Sequence, residues 1–347
     1  MKKTIRKVKR KVALLAALLA LVLSITGVTA VAAETWKSAV EKEVSKEQKK
    51  SDKEKSDKEK VGEIKKEATI KKKVLFDEKD IKITALSLSY GKSSAELEVR
   101  LENNTEKDLT FASEAMGAAY NAINDTMIMD GYLNEDVAAG KSVTATIEFG
   151  YDNMFLFGIS EIGTIQVGFA ASDDQYNLIR TGPLELKTTA AKSVKKSEKT
   201  STDSFRKRMQ NKKVQENYGF EMIYYSEDEV YSSSKYSIIT ELLLENKRGS
   251  RSFMLETKNG TKKNAYVTCR DITVNDKMIH EGSWADNTLI TAKKRALVRI
   301  DIDGLLDREE NKDLNIKDIK SIGFTVEIQD NYGKDLAEPE EVLIKVK

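Results

Sequence analysis

Apolar and polar residues alternate with a period of two along two long stretches of this chain, residues 74–188 and 216–347. Ala95, Leu97, Val99 and Leu101 fall on one face of such a run, and Glu96, Glu98 and Arg100 on the other. Val143, Ala145, Ile147 and Phe149 repeat the pattern, as do Ile165, Val167 and Phe169. In the second stretch Val298, Ile300 and Ile302 alternate with Arg299 and Asp301, and Ile322, Phe324, Val326 and Ile328 with Gly323, Thr325 and Glu327. This alternation predicts half-buried antiparallel strands. Tyr90-Gly91-Lys92, Asn103-Asn104, Ala139-Gly140-Lys141 and Asn259-Gly260 mark the turns between them. About seven or eight strands per stretch fit a two-sheet β-sandwich.

The two stretches echo each other. Ala95–Leu101 followed by Glu102-Asn103-Asn104 pairs with Ile238–Leu244 followed by Glu245-Asn246-Lys247. Ile162–Val167 pairs with Ile319–Phe324. Asp173-Asp174-Gln175-Tyr176 pairs with Asp330-Asn331-Tyr332, and the closing strand Leu184–Lys187 with Val342–Val346. Short helices are expected near Met154–Phe157 and Gly304–Asp307, each plugging one end of its sandwich.

Charge divides the 347 residues further. Residues 1–33 hold seven basic and no acidic side chains, with an apolar run from Val12 to Val28 and small residues at Thr29-Ala30-Val31-Ala32-Ala33. That is the plan of a secretory signal peptide, cleaved after Ala32 or Ala33. An uncleaved N-terminal membrane anchor is the alternative, since Val12–Ala33 approaches the span of about 20 residues that a bilayer needs. No cysteine lies near the cleavage site to carry a lipid. Residues 34–73 form a charged spacer with the direct repeat Ser51–Lys55 and Ser56–Lys60 and no apolar stripe. Residues 189–215 form a basic linker with nine basic against two acidic residues. The stretches between are acidic, net −11 over 74–188 (8 basic, 19 acidic) and −5 over 216–347 (20 basic, 25 acidic). The basic segments are thus expected to touch an anionic membrane surface or wall polymer. Nucleic acid is not expected as a partner, because no aromatics interleave with the basic runs in an exported chain.

The Leu101-Glu102-Asn103-Asn104 turn, the Val137-Ala138-Ala139-Gly140-Lys141-Ser142 lead-in to a strand, and the export signal with its charged spacer resemble secreted Gram-positive (Firmicutes) proteins with telokin-like, immunoglobulin-like domains of unknown function. The resemblance covers both stretches, though the second lead-in, Ile290-Thr291-Ala292-Lys293, lacks the glycine. It implies an all-β chain of two tandem immunoglobulin-like β-sandwich domains, 74–188 and 216–347, in the extracellular compartment. It assigns no reaction.

Candidate chemistry is sparse. His280 is the only histidine and Cys269 the only cysteine, so a histidine-dependent triad would have to use His280, which sits at a turn and reads as a surface or structural residue, and one histidine with one cysteine cannot supply an intrachain zinc site. Cys269 sits in a strand pattern and reads as a small buried hydrophobe. Asp173, Asp174, Asp330, Asp301 and Asp303 are weak calcium candidates. Calcium takes roughly six to eight oxygens, and turn-capping by Asp competes as an explanation. Trp284 in a loop, with Tyr224, Tyr225 and Tyr231, is a candidate binding surface. No catalytic residue and no cofactor is expected. The expected function is a non-enzymatic binding or adhesion module of the cell envelope, secreted or retained at the surface, with a polysaccharide or protein partner. The alternative is an accessory envelope hydrolase or an inhibitor of one.

Overall fold

The alternation of residues 95–101 forms strand β3 (Ser94–Asn103), in which Ala95, Leu97, Val99 and Leu101 are buried. The computed structural model describes residues 64–115, 119–198, 208–226, 230–233, 235–283, 287–314 and 316–346. All lie in one unit, Gly62–Lys347. The expected signal peptide, residues 34–63 of the spacer, and Trp284 fall outside the described residues. No helix among the described residues is long and apolar enough to cross a membrane.

The fold is mostly antiparallel β-sheet, sandwich-like, around two hydrophobic cores. In the first lobe, β1 (Lys73–Glu78), β2 (Ile81–Tyr90), β3 and β8 (Lys141–Gly150) form one sheet in that order. β4 (Leu109–Ser113), β7 (Leu133–Val137), β10 (Ala170–Ser172) and β11 (Leu178–Arg180) form another, ordered β11-β10-β4-β7. Phe111, Ile147, Phe149 and Phe169 fill the space between, and each such side chain contributes roughly 1.5–3 kcal/mol through burial. In the second lobe, β17 (Ala265–Val274), β18 (Lys277–Ser283), β19 (Thr288–Ile290), β21 (Ser321–Gln329) and β22 (Glu340–Lys345) form a five-stranded sheet. It packs on β13 (Phe220–Ser226), β14 (Tyr231–Ser232), β15 (Tyr236–Asn246), β16 (Arg251–Asn259) and β20 (Arg295–Asp301). A nine-stranded sheet runs through both lobes. In it β12 (Leu184–Lys187), β9 (Thr164–Val167), β5 (Ala122–Ile123) and β6 (Thr126–Met127) continue into β20, β16, β15 and β13.

The expected end-plugging helices form after equivalent strands. α1 (Tyr151–Leu156) follows β8 and buries Met154 and Phe155. Two helices of the linker region follow, α2 (Ala191–Glu198) and α3 (Lys212–Tyr218). α4 (Ile302–Leu306) follows β20, with Ile302 and Leu305 buried and Asp301 as its N-cap.

One echo of the internal repeat, Ala95–Asn104 with Ile238–Lys247, has a different register from the one the sequence suggests. β16, not β15, takes the place of β3, because each pairs with the strand preceding the plug helix. Both also end in the same network. Asn103 Nδ2 donates to the carbonyls of Lys107 (2.7 Å) and Val137 (2.9 Å), and its Oδ1 accepts from Thr105 N. Asn259 Nδ2 donates to Lys263 O (2.8 Å) and Ile290 O (2.9 Å), and its Oδ1 accepts from Thr261 N. Glu245-Asn246-Lys247 is instead the turn out of β15, which stands where β2 does. A second shared turn lies at the opposite end. Asn124 (φ 58°) caps Gly163 N and Thr164 N, and Asn275 (φ 51°) caps Lys320 N and Ser321 N. The stretches Asn124-Asp125-Thr126-Met127-Ile128 and Asn275-Asp276-Lys277-Met278-Ile279 carry this turn. At the lead-in, Lys293 adopts φ 64° where the first lobe has Gly140 at φ 64°, so the turn survives without its glycine.

The lobes meet at the Asn124 turn. Thr126 pairs with Arg295 as a parallel bridge. Arg295 N donates to Asp125 O (2.8 Å), Arg295 Nε to Thr126 Oγ1 (2.9 Å) and Arg295 Nη1 to Glu256 Oε1 (2.9 Å). Gln166 Nε2 donates to Thr291 Oγ1 (2.8 Å) and Lys294 Nζ to Asn124 O. The linker helps to seal this junction. Met209 packs with Leu242 against Leu156, Phe157, Met222 and Met254, and Tyr218 stacks on Phe155 with ring centroids 6.3 Å apart. Residues 64–73 of the spacer lie along the first lobe with Ile64 and Ala68 buried.

Candidate functional site

Two basic segments converge on one groove. The end of the spacer and the start of the linker run side by side: Thr189 N donates to Thr69 O (2.8 Å) and Thr69 N to Thr189 Oγ1 (3.0 Å). Lys73 Nζ donates to Glu185 O (3.0 Å), tying the start of β1 to β12. The result is an open groove of about 660 Å³ whose lining includes Lys71, Lys72, Lys73, Lys187 and a single carboxylate, Glu185. Period-two geometry accounts for part of this. Leu186 and Thr188 turn inward and are buried, which places Glu185, Lys187 and Thr189 outward. Among the described residues, no carboxylate side chain forms an ion pair with Lys71, Lys72 or Lys187. Four ammonium groups in an open channel attract an anionic chain laid along it.

A second feature is duplicated. In each lobe an aspartate at the end of a core strand builds a hairpin tip by accepting two backbone N–H groups. Asp173 Oδ1 accepts from Gln175 N (3.0 Å) and Asn177 N (2.8 Å). Asp330 Oδ1 accepts from Tyr332 N (2.8 Å) and Lys334 N (3.0 Å). The Asn177 side-chain amide and Lys107, whose Nζ lies 2.7 Å from Asp173 Oδ2, hold the Asp173 carboxyl well below the usual range. The backbone N–H groups of Lys334 and Tyr332 lower the Asp330 carboxyl. These tips lift Tyr176 and Tyr332 into solvent, each 87% exposed. Tyr176 sits at φ 60°, where the second lobe places Gly333 at φ 76°. A left-handed backbone costs a side-chain-bearing residue roughly 1–2 kcal/mol.

A third feature is a polar knot in the first lobe. Glu114 adopts φ 54° and accepts from Asn121 N (2.6 Å). Burial, with Asp130 nearby, raises its carboxyl to about 8. Asp130 accepts from Gly150 N (2.9 Å) and Asn153 Nδ2 (2.6 Å). No sequence pattern marks Glu114, because its environment is made by residues up to 40 positions away in the chain.

The aspartates singled out as calcium candidates are spent on structure and lie in separate places. Asp173 and Asp330 hold hairpin tips in different lobes, and Asp174 is exposed beside Asp173. Asp301 caps α4 through Gly304 N, and Asp303 makes a paired contact with Arg251 (2.7 Å). Among the described residues, no group of three or more His, Cys, Asp or Glu is placed to hold a metal ion. The tyrosines do not form one surface either. Tyr231 is buried in the second core, Tyr224 packs against that core, and Tyr225 points to solvent. The reason is the strand period itself, which sends neighbouring tyrosines to opposite faces. His280 meets Arg308 at 3.2 Å. Cys269 is buried, and desolvation pushes its thiol up to about 12, so it is an inert core residue.

No protein family matches the chain, and no curated protein does. Among solved structures, red sea bream transglutaminase is similar over 75% of this chain at 10% identity, with a TM-score of 0.18. The chain spans 31% of that protein's length. Chicken MD-1 complexed with lipid IVa is similar over 34% of this chain and 96% of its own at 9% identity, with a TM-score of 0.17.

Proposed function

We propose that the protein is an exported, non-enzymatic binding module of the cell envelope, built of two immunoglobulin-like sandwiches, that holds an anionic polymer in the lysine-lined groove. The observation that carries this reading is the convergence of Lys71, Lys72, Lys73 and Lys187 where the two basic segments run together. The groove is open and its lysines are exposed, so the attraction is electrostatic and screened: the Debye length falls from about 10 Å at 0.1 M salt to about 3 Å at 1 M. Retention of the full chain on isolated envelopes and on a polyphosphate resin is expected at low salt and lost as salt rises. Lys71→Ser/Lys72→Ser/Lys187→Ser should elute at markedly lower salt. Equal elution of variant and parent would remove the groove from the account.

One observation favours a second reading, an accessory hydrolase. Glu114 is a carboxyl held protonated at neutral pH beside Asp130, a pairing that suits general-acid chemistry. Turnover of an envelope polymer abolished by Glu114→Gln would support it; absence of turnover by the parent protein would reject it.

A further inference from the structure

We propose that the lysine groove also receives the acidic strand edge of a second copy of this chain, joining copies head to tail. The proposal rests on the groove as an anion site and names a protein occupant for it. The bonds around the groove fix its register. Thr69 bonds to Thr189 and Lys73 to Glu185, so the two segments run antiparallel and Lys71 falls opposite Lys187. Like charges facing each other across two strands repel, and an anionic group laid between them removes that cost. Lys71, Lys72 and Lys187 are exposed.

The complement lies in the other lobe. Residues 335–341 read Asp335-Leu336-Ala337-Glu338-Pro339-Glu340-Glu341, four carboxylates with no basic residue among them. Asp335 is held by Gln329 Nε2 (3.0 Å). Glu338, Glu340 and Glu341 are exposed, and among the described residues no ion pair engages them. They lead into β22, which ends its sheet, as β1 and β12 end theirs. Val74 on β1 is 46% exposed and Leu343 on β22 is 59% exposed, so both edges also show an apolar side chain to solvent. Charges on an open edge keep strands from pairing. Lysines guard the groove against another groove, and glutamates guard β22 against another β22, but neither guards one against the other. Each copy has one groove and one acidic edge, so copies add in a row or close in a ring.

Sedimentation velocity of the full chain tests this. At low salt the mean sedimentation coefficient of the parent should rise with concentration, and in about 1 M sodium chloride it should not. Lys71→Glu/Lys72→Glu/Lys187→Glu and Glu338→Lys/Glu340→Lys/Glu341→Lys should each stay monomeric, because groove and edge then carry the same sign. Mixed in equal amounts, the two variants should associate again, since each groove now meets an edge of opposite sign. The replaced side chains are exposed, so the far-UV circular dichroism of each variant should match the parent. Absence of association by the parent at low salt, association that persists in either variant alone, or no recovery on mixing overturns the proposal. Retention of the parent on polyphosphate resin without self-association rejects this proposal and leaves the groove reading standing; self-association without retention does the reverse.

Discussion

Arg295→Met tests whether a buried ion pair of the second lobe, at its junction with the first, carries stability. The Arg295 side chain is 11% exposed and that of Glu256 3%, with Nη1 and Oε1 2.9 Å apart. Arg295 also reaches Thr126 Oγ1 at 2.9 Å and Asp125 at 3.4 Å. Asp125 is 42% exposed, so losing that pair costs little. The cost falls on Glu256, whose carboxylate is left in the sheet without its arginine. Removing one partner of a buried pair costs about 3–5 kcal/mol, a large part of a net stability that is typically about 5–15 kcal/mol. Methionine preserves the apolar stem of the side chain, so packing changes little. Because Arg295 also reaches Thr126 and Asp125 of the first lobe, its loss should loosen the coupling of the lobes as well. Urea unfolding followed by far-UV circular dichroism should shift to lower midpoint and broaden or split into two steps. Arg295→Met/Glu256→Leu, which removes both charges, should recover most of the loss. A single variant that loses less than about 1 kcal/mol, or a double variant as unstable as the single, would refute the assignment of that stability to this pair.

Other outcomes follow from the same geometry. Burial raises the folded pKa of Glu114 from the ordinary carboxylate range to about 8, so the folded state binds the extra proton between those values. Stability therefore falls as pH rises through that window, and Glu114→Gln should stabilise the protein at pH 7 by up to about 3 kcal/mol and by almost nothing at pH 4; equal effects at both pH values would contradict this. Asp173 is shifted the other way. Its contribution is present above the unfolded carboxylate value and is lost as pH falls through the folded one, so Asp173→Asn should matter at pH 7 and be silent in strong acid, as urea midpoints would report. Asn103→Ala and Asn259→Ala each remove an amide that satisfies two backbone carbonyls. Each should lower stability by about 2–3 kcal/mol, and by similar amounts if the two turns are equivalent.

The period-two pattern was enough to place the core strands, because side-chain direction in a strand is set locally: Ala95, Leu97, Val99 and Leu101 could only face one way. The same rule accounts for the burial of Cys269. Pairing between strands is not local, so one echo of the repeat, Ile238–Lys247 for Ala95–Asn104, was read one strand out of register. Glu245-Asn246 and Glu102-Asn103 look alike in sequence, and only the bonds made by Asn103 and Asn259 show which turns correspond. Composition set the spacer and linker apart as basic and the lobes as acidic, yet it could not say that residues 69–73 and 185–189 lie side by side, since that contact spans more than a hundred residues. The lysine groove, the raised Glu114 carboxyl and the contacts of Arg295 with Thr126 and Glu256 are all products of contacts between residues apart in the chain. In each, a charge acquires its meaning from neighbours that the fold brings to it and that the chain order keeps apart.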